Sequence, residues 1–118
     1  MHLETISDTP SYIHLAIRGD LDTAGSRVID LEFHARTAAQ RKHAIVDMSE
    51  VRIIASLGMG MLIGCAHSLA RHKKRMMLVH TSPMCAAALR AVKMDQMIAM
   101  YGTVGEALAS MEAQTAGA

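Results

Sequence analysis

The spacing of apolar positions changes repeatedly along the chain, and each change marks an element. From Tyr12 to Arg18, Ile13, Leu15 and Ile17 alternate with Tyr12, His14, Ala16 and Arg18. A period of two with one apolar face predicts a strand. Leu3–Ser7 predicts its partner, and Asp8-Thr9-Pro10-Ser11 between them has turn chemistry, since Pro fixes φ and Asp bonds back to its own backbone. The period then lengthens. Over Ala24–Gln40, Val28, Leu31, Ala35 and Ala38 recur at steps of three and four, with Ile29 and Phe33 beside them. This predicts an amphipathic helix with Arg27, Asp30, Arg36 and Gln40 facing water, capped by Asp22 or Thr23.

Ala44–Asp47 is a short, β-branched apolar run and reads as a buried strand. After Met48–Arg52 and the pair Ile53-Ile54, the segment from Leu57 to about His72 is long enough for a helix. Its Gly58, Gly60 and Gly64 would let it lie close on a sheet. Met76–His80 is a second buried strand. Ser82-Pro83 starts a helix to about Val92, expected to bury Ala86, Leu89 and Val92. Met97–Tyr101 is a last strand, and Thr103-Val104-Gly105-Glu106 is a capping box. It opens a helix with Val104, Ala107, Leu108 and Met111 on one face, followed by a fraying tail, Gln114–Ala118. The order predicts one α/β domain over residues 1–118: an N-terminal β-hairpin, then alternating helices and strands in a four- to five-stranded mixed sheet with four helices.

Composition narrows the chemistry. Half of the 118 residues are apolar, only 3% are aromatic and eleven are Met, so the core is aliphatic and Met-rich. The formal charge is +1, without the basic excess of a nucleic-acid protein. Arg71-His72-Lys73-Lys74-Arg75 is read as cations complementing a helix C-terminus. No long uninterrupted apolar run implies membrane insertion, and Met1–Thr5 lacks signal-peptide features. Cys65 and Cys85 have neither metal-type spacing nor a disulfide framework. The expected location is the cytoplasm.

Catalytic constellations are missing. Ile54-Ala55-Ser56-Leu57-Gly58 is no GxSxG elbow, the seven His have no zinc-type spacing, and Gly58-x-Gly60 is incomplete as a nucleotide loop. No catalytic residue, cofactor or metal is expected. Ser56 stands where the long helix begins. Its plain role is an N-cap; its sharper one is a modifiable hydroxyl, because a phosphoryl group there would meet the helix dipole and free N–H donors.

At Asp47 and Ile53-Ile54-Ala55-Ser56-Leu57-Gly58-Met59-Gly60 the sequence resembles STAS domains, and among them the bacterial anti-sigma factor antagonists. Their signature is a strand ending in Asp, a short hydrophobic connection, then Asp-Ser-Ser/Ala-Gly-Leu opening a helix. Asp47 matches the strand end and Ser56 the phosphorylated Ser, while Ala55 replaces the Asp and Leu57 a small residue. Gly19-Asp20-Leu21-Asp22 resembles the family's Gly-x-Leu-Asp turn. The resemblance implies a non-catalytic binding module whose partner is an anti-sigma factor with serine-kinase activity. Phosphorylation of Ser56 would release that partner and a phosphatase would reset the switch. Asp22, Ser56, Leu57, Gly58, Met59, Gly60 and Ile63 are the expected partner surface. The alternative is a constitutive STAS subunit of a phospholipid-transport ATPase or a stress-sensing assembly. A small-molecule binding domain is the third reading, and homo-oligomerisation is left open.

Overall fold

A computed structural model describes residues 1–116. The hairpin is β1 (His2–Asp8) and β2 (Tyr12–Arg18), antiparallel, with a register shift between Thr5 and Ser7. It is followed by α1 (Thr23–Arg36), β3 (His43–Asp47), α2 (Ser56–Arg71), β4 (Met76–Val79), α3 (Pro83–Ala91), β5 (Ala99–Tyr101) and α4 (Val104–Ala116). The strands form one five-stranded sheet in sequence order, and every pair from β2 to β5 is parallel. The expected α/β architecture, with its hairpin, mixed sheet and four helices, is present. Of the tail expected to fray, residues 114–116 continue α4, and the last two lie outside the described residues.

Two apolar clusters flank the sheet. One joins Ile13, Leu15, Ile17, Val46 and Leu78 to Ile29 and Phe33 of α1, Leu62 and Leu69 of α2, and Leu89 of α3. The other joins Ile45, Met77 and Val79 to Ala107 and Met111 of α4. β3 and β4 are therefore covered on both faces, which is why their sequences are continuous apolar runs rather than alternations. Cys65 and Cys85 are buried free thiols within the first cluster.

The expected face of α1 is wrong. Val28 and Leu31 are 67% and 84% exposed, and the buried stripe is Gly25, Ser26, Ile29 and Phe33. The helix carries apolar residues on two faces, so periodicity alone does not set its phase. What sets it is the fit of Gly25 and Ser26 against the preceding turn and α2, where a Cβ on Gly25 would collide with the Asp20 carbonyl. α1 also stops at Arg36, where the Thr37 hydroxyl donates to the Phe33 carbonyl at 2.7 Å. Val92 is likewise half-exposed rather than buried, because α3 ends at Ala91. The left-handed residue after α2 is Lys73, at φ +60°.

Candidate functional site at the starts of α1 and α2

The site forms where β2 and β3 hand over to their helices. Gly19-Asp20-Leu21-Asp22 leaves β2 and runs beside Ile53-Ile54-Ala55, which leaves the β3 connection. The Leu21 N–H donates to the Ile53 carbonyl at 2.9 Å, and the Ala55 N–H donates to the Leu21 carbonyl at 2.7 Å. This parallel bridge sets the starts of α1 and α2 side by side. Asp20 braces it by accepting from the Arg52 backbone N–H at 2.8 Å and from its guanidinium at 3.1 Å. These Arg52 contacts hold the Asp20 carboxyl below its usual range. This brace leaves no local signal, since thirty-two residues separate its partners; only the Gly-x-Leu-Asp turn points to Asp20.

The bridge also corrects the role of Ser56. Ala55 is held extended at φ −89°, ψ 168°, so it becomes the N-cap of α2 and Ser56 the first helical residue. No side chain caps this helix. The Ser56 side chain is exposed and makes no hydrogen bond among the described residues. Its hydroxyl therefore stands free beside the first-turn N–H groups of α2, which lack intrahelical acceptors. Asp22, by contrast, is spent as a cap: it starts α1 and accepts from the Gly25 N–H at 2.7 Å.

The remaining expected residues divide by face. Met59, Gly60 and Ile63 lie three, four and seven positions after Ser56, the spacing of one helical ridge. Gly60 is exposed, whereas Met59 and Ile63 are half-buried against the core. Leu57 is 44% exposed. Gly58 departs from its expected place on the partner surface: it is buried, and a Cβ there would lie 2.9 Å from the Ser26 hydroxyl and 3.0 Å from Leu21. Its part is to let α2 approach the start of α1.

Two exposed apolar residues were not singled out from the sequence. Ile53 is 53% and Met84 73% exposed, and with Arg52 and Ser82 they line a groove of about 500 Å³. The Ile53-Ile54 pair held a signal for the first, since adjacent extended residues point opposite ways; Ile54 turns in and Ile53 out. No local signal marked Met84, which the β4–α3 connection brings to the groove. Among the described residues, no three His, Cys, Asp or Glu side chains come together to hold a metal, and no helix is long and apolar enough to cross a membrane.

Comparison with known proteins identifies the fold. No curated protein sequence matches the chain. An anti-sigma-factor antagonist (STAS) domain protein from Planctomyces limnophilus is similar in structure, with a TM-score of 0.80 at 19% identity over 92% of this chain and 96% of that one. The Bacillus cell fate determinant SpoIIAA in its phosphorylated form superimposes with a TM-score of 0.68 at 17% identity, over 93% and 99% of the two chains. The murine anion transporter Slc26a9 matches at 0.76 and 16% identity, over 91% of this chain but only 18% of the transporter. The model of the STAS domain family matches residues 3–107, and the chain belongs to that family.

Proposed function

We propose that this STAS domain is a non-catalytic, cytoplasmic regulatory module of the anti-sigma factor antagonist kind. It binds an anti-sigma factor with serine-kinase activity through the surface around Ser56 and is released when Ser56 is phosphorylated. The observation that carries the reading is the free Ser56 hydroxyl at the first position of α2, with exposed Ile53 and Leu57 close by in sequence. A hydroxyl engaged in capping would resist modification; this one is available.

The switch follows from electrostatics. Docking on Ile53, Leu57, Met84 and the Met59–Gly60–Ile63 ridge buries apolar surface. Phosphorylation places about −1.5 to −2 charges there. The open N–H groups and the helix dipole stabilise that charge in the free domain. A partner surface shaped for a neutral hydroxyl would bury it unpaired, a cost of about 3–5 kcal/mol, or more than a hundredfold in affinity. The likeness to SpoIIAA, solved in both unphosphorylated and phosphorylated forms, supports the comparison. Ala55 in place of the family Asp removes one carboxylate from the surface a kinase would read.

The test is the intact mass of the protein after incubation with ATP and the candidate kinase, with Ser56→Ala alongside. A phosphate-sized gain absent from the variant, and loss of the complex with Ser56→Asp but not Ser56→Ala, is the expected result. A stable complex with no gain in mass and no effect of Ser56→Asp would overturn the switch. That outcome would favour a constitutive STAS subunit, a use for which the similarity to part of a much longer transporter chain is the supporting observation.

A further inference from the structure

We propose that a second site, at the carboxyl ends of β4 and β5, binds a small tetrahedral oxyanion of the phosphate class. It is a cleft of about 260 Å³ whose lining includes His80, Thr81, Ala86, Arg90, Tyr101 and Gly102. That volume lies below the range of drug-sized or nucleotide ligands and suits an inorganic anion.

Three groups give the cleft its chemistry. The Thr81 hydroxyl is buried and has no hydrogen-bond partner among the described residues. A buried polar atom left unsatisfied is rare and calls for a partner outside the chain. Arg90 makes no side-chain hydrogen bond or ion pair among the described residues, so its five donors are free. It follows Ala86 by one helical turn, and helical side chains lean toward the helix N-terminus. Arg90 and Thr81 thereby line one and the same cleft. His80 supplies the third polar group, in a left-handed backbone conformation (φ +55°) of the kind that gathers at ligand sites.

Arg90 also complements the C-terminal dipole of α3, but that role leaves Thr81 unsatisfied. A phosphate oxygen answers both: it accepts from the hydroxyl while the guanidinium binds two oxygens side by side. One carboxylate opposes binding. Glu106 accepts from the Gly102 N–H at 3.0 Å and so places a negative charge at the cleft's edge. The site does not depend on Ser56. It adjoins the docking groove only through the chain, since Thr81 lines the cleft and Ser82 the groove.

The experiment is a titration of the isotope-labelled protein with sodium phosphate at constant ionic strength, read from backbone amide shifts, with sodium chloride and O-phosphoserine as parallel arms. Phosphate is expected to give saturable shifts at His80–Ser82 and Tyr101–Gly102, and chloride none. Arg90→Gln, a change at an exposed helix position, should weaken binding about tenfold or more. Glu106→Gln should tighten it. Saturation by O-phosphoserine as well assigns the site to phosphate monoesters; saturation by phosphate alone assigns it to the free anion. Equal shifts with chloride, or phosphate binding unchanged in Arg90→Gln, would overturn the proposal and leave a water molecule as the partner of Thr81.

Discussion

Ser56 and Ser82 both stand at helix starts, yet they do different things. Ser82 is the N-cap of α3 and accepts from the Cys85 N–H. Ser56 is one residue inside α2 and caps nothing. Ser82→Ala should therefore cost about 1 kcal/mol, and Ser56→Ala less than about 0.5 kcal/mol, compared by urea denaturation. Ala55→Asp, at the true cap position, should stabilise by about 1 kcal/mol. An equal loss in both serine variants would show that Ser56 caps after all. The glycines of α2 also separate. Gly58→Ala forces a Cβ against Leu21 and Ser26 and should destabilise by about 1–3 kcal/mol. Gly60 has open space beside it, so Gly60→Ala should stabilise by about 0.5–1 kcal/mol. Thermal melts of the two variants, moving in opposite directions from wild type, would check this contrast.

Among the elements, strands were more legible than helix faces. β2 alternates cleanly, and β3 and β4 are continuous apolar runs because helices cover both sides. Their sequences could hardly mean anything else. α1 was recognised as a helix but turned to the wrong face, since Val28 and Leu31 imitate a core stripe while Gly25 and Ser26 give no hydrophobic signal at all. The exposures make a sharp expectation. Ile29→Ala should lower stability by about 2–5 kcal/mol, whereas Leu31→Ala should change it by less than about 0.5 kcal/mol. Comparable losses in denaturant midpoint would contradict the observed phase. The end of α2 was legible in kind and not in detail: Lys73 takes the left-handed position that Gly usually fills. Lys73→Gly should relieve up to about 1 kcal/mol of that strain.

For the whole molecule, the response to acid depends on groups that the sheet gathers from distant segments. His14 and His43 project from neighbouring strands, and burial is the main cause holding both below the ordinary imidazole value of 6.5. Asp47 opposes the shift of His14 and His80 adds to it; Lys74 and Arg75 add to that of His43. His43 also accepts from the Arg75 N–H at 3.0 Å, a bond that needs the neutral ring. As pH falls below about 6.5, the unfolded chain takes up protons that the folded one resists, so stability declines until the folded histidines charge. The melting temperature should therefore drop between about pH 7 and about pH 5, and the drop should shrink in a His14→Gln, His43→Gln double variant. An unchanged pH profile in that variant would assign the effect elsewhere. Asp20 acts lower: its carboxyl is held down by Arg52, so the stability it contributes is present above about pH 4 and is lost in stronger acid.

The order of elements, the hairpin, the caps at Ser82 and Thr103 and the strand-ending Asp47 were all determined by the sequence itself. Each depends on residues within a turn or two of one another, and local sterics and hydrogen bonding act at that range. Tertiary structure alone decided the phase of α1, the move of the α2 cap from Ser56 to Ala55, the burial of Gly58, the groove of Ile53 and Met84, and the cleft that joins Thr81 to Arg90. Each depends on which segment arrives from elsewhere in the chain, as when Leu21 grips Ile53 and Ala55 through two backbone hydrogen bonds. Periodicity can say that a residue is apolar and helical, but only packing says which side is left for a partner.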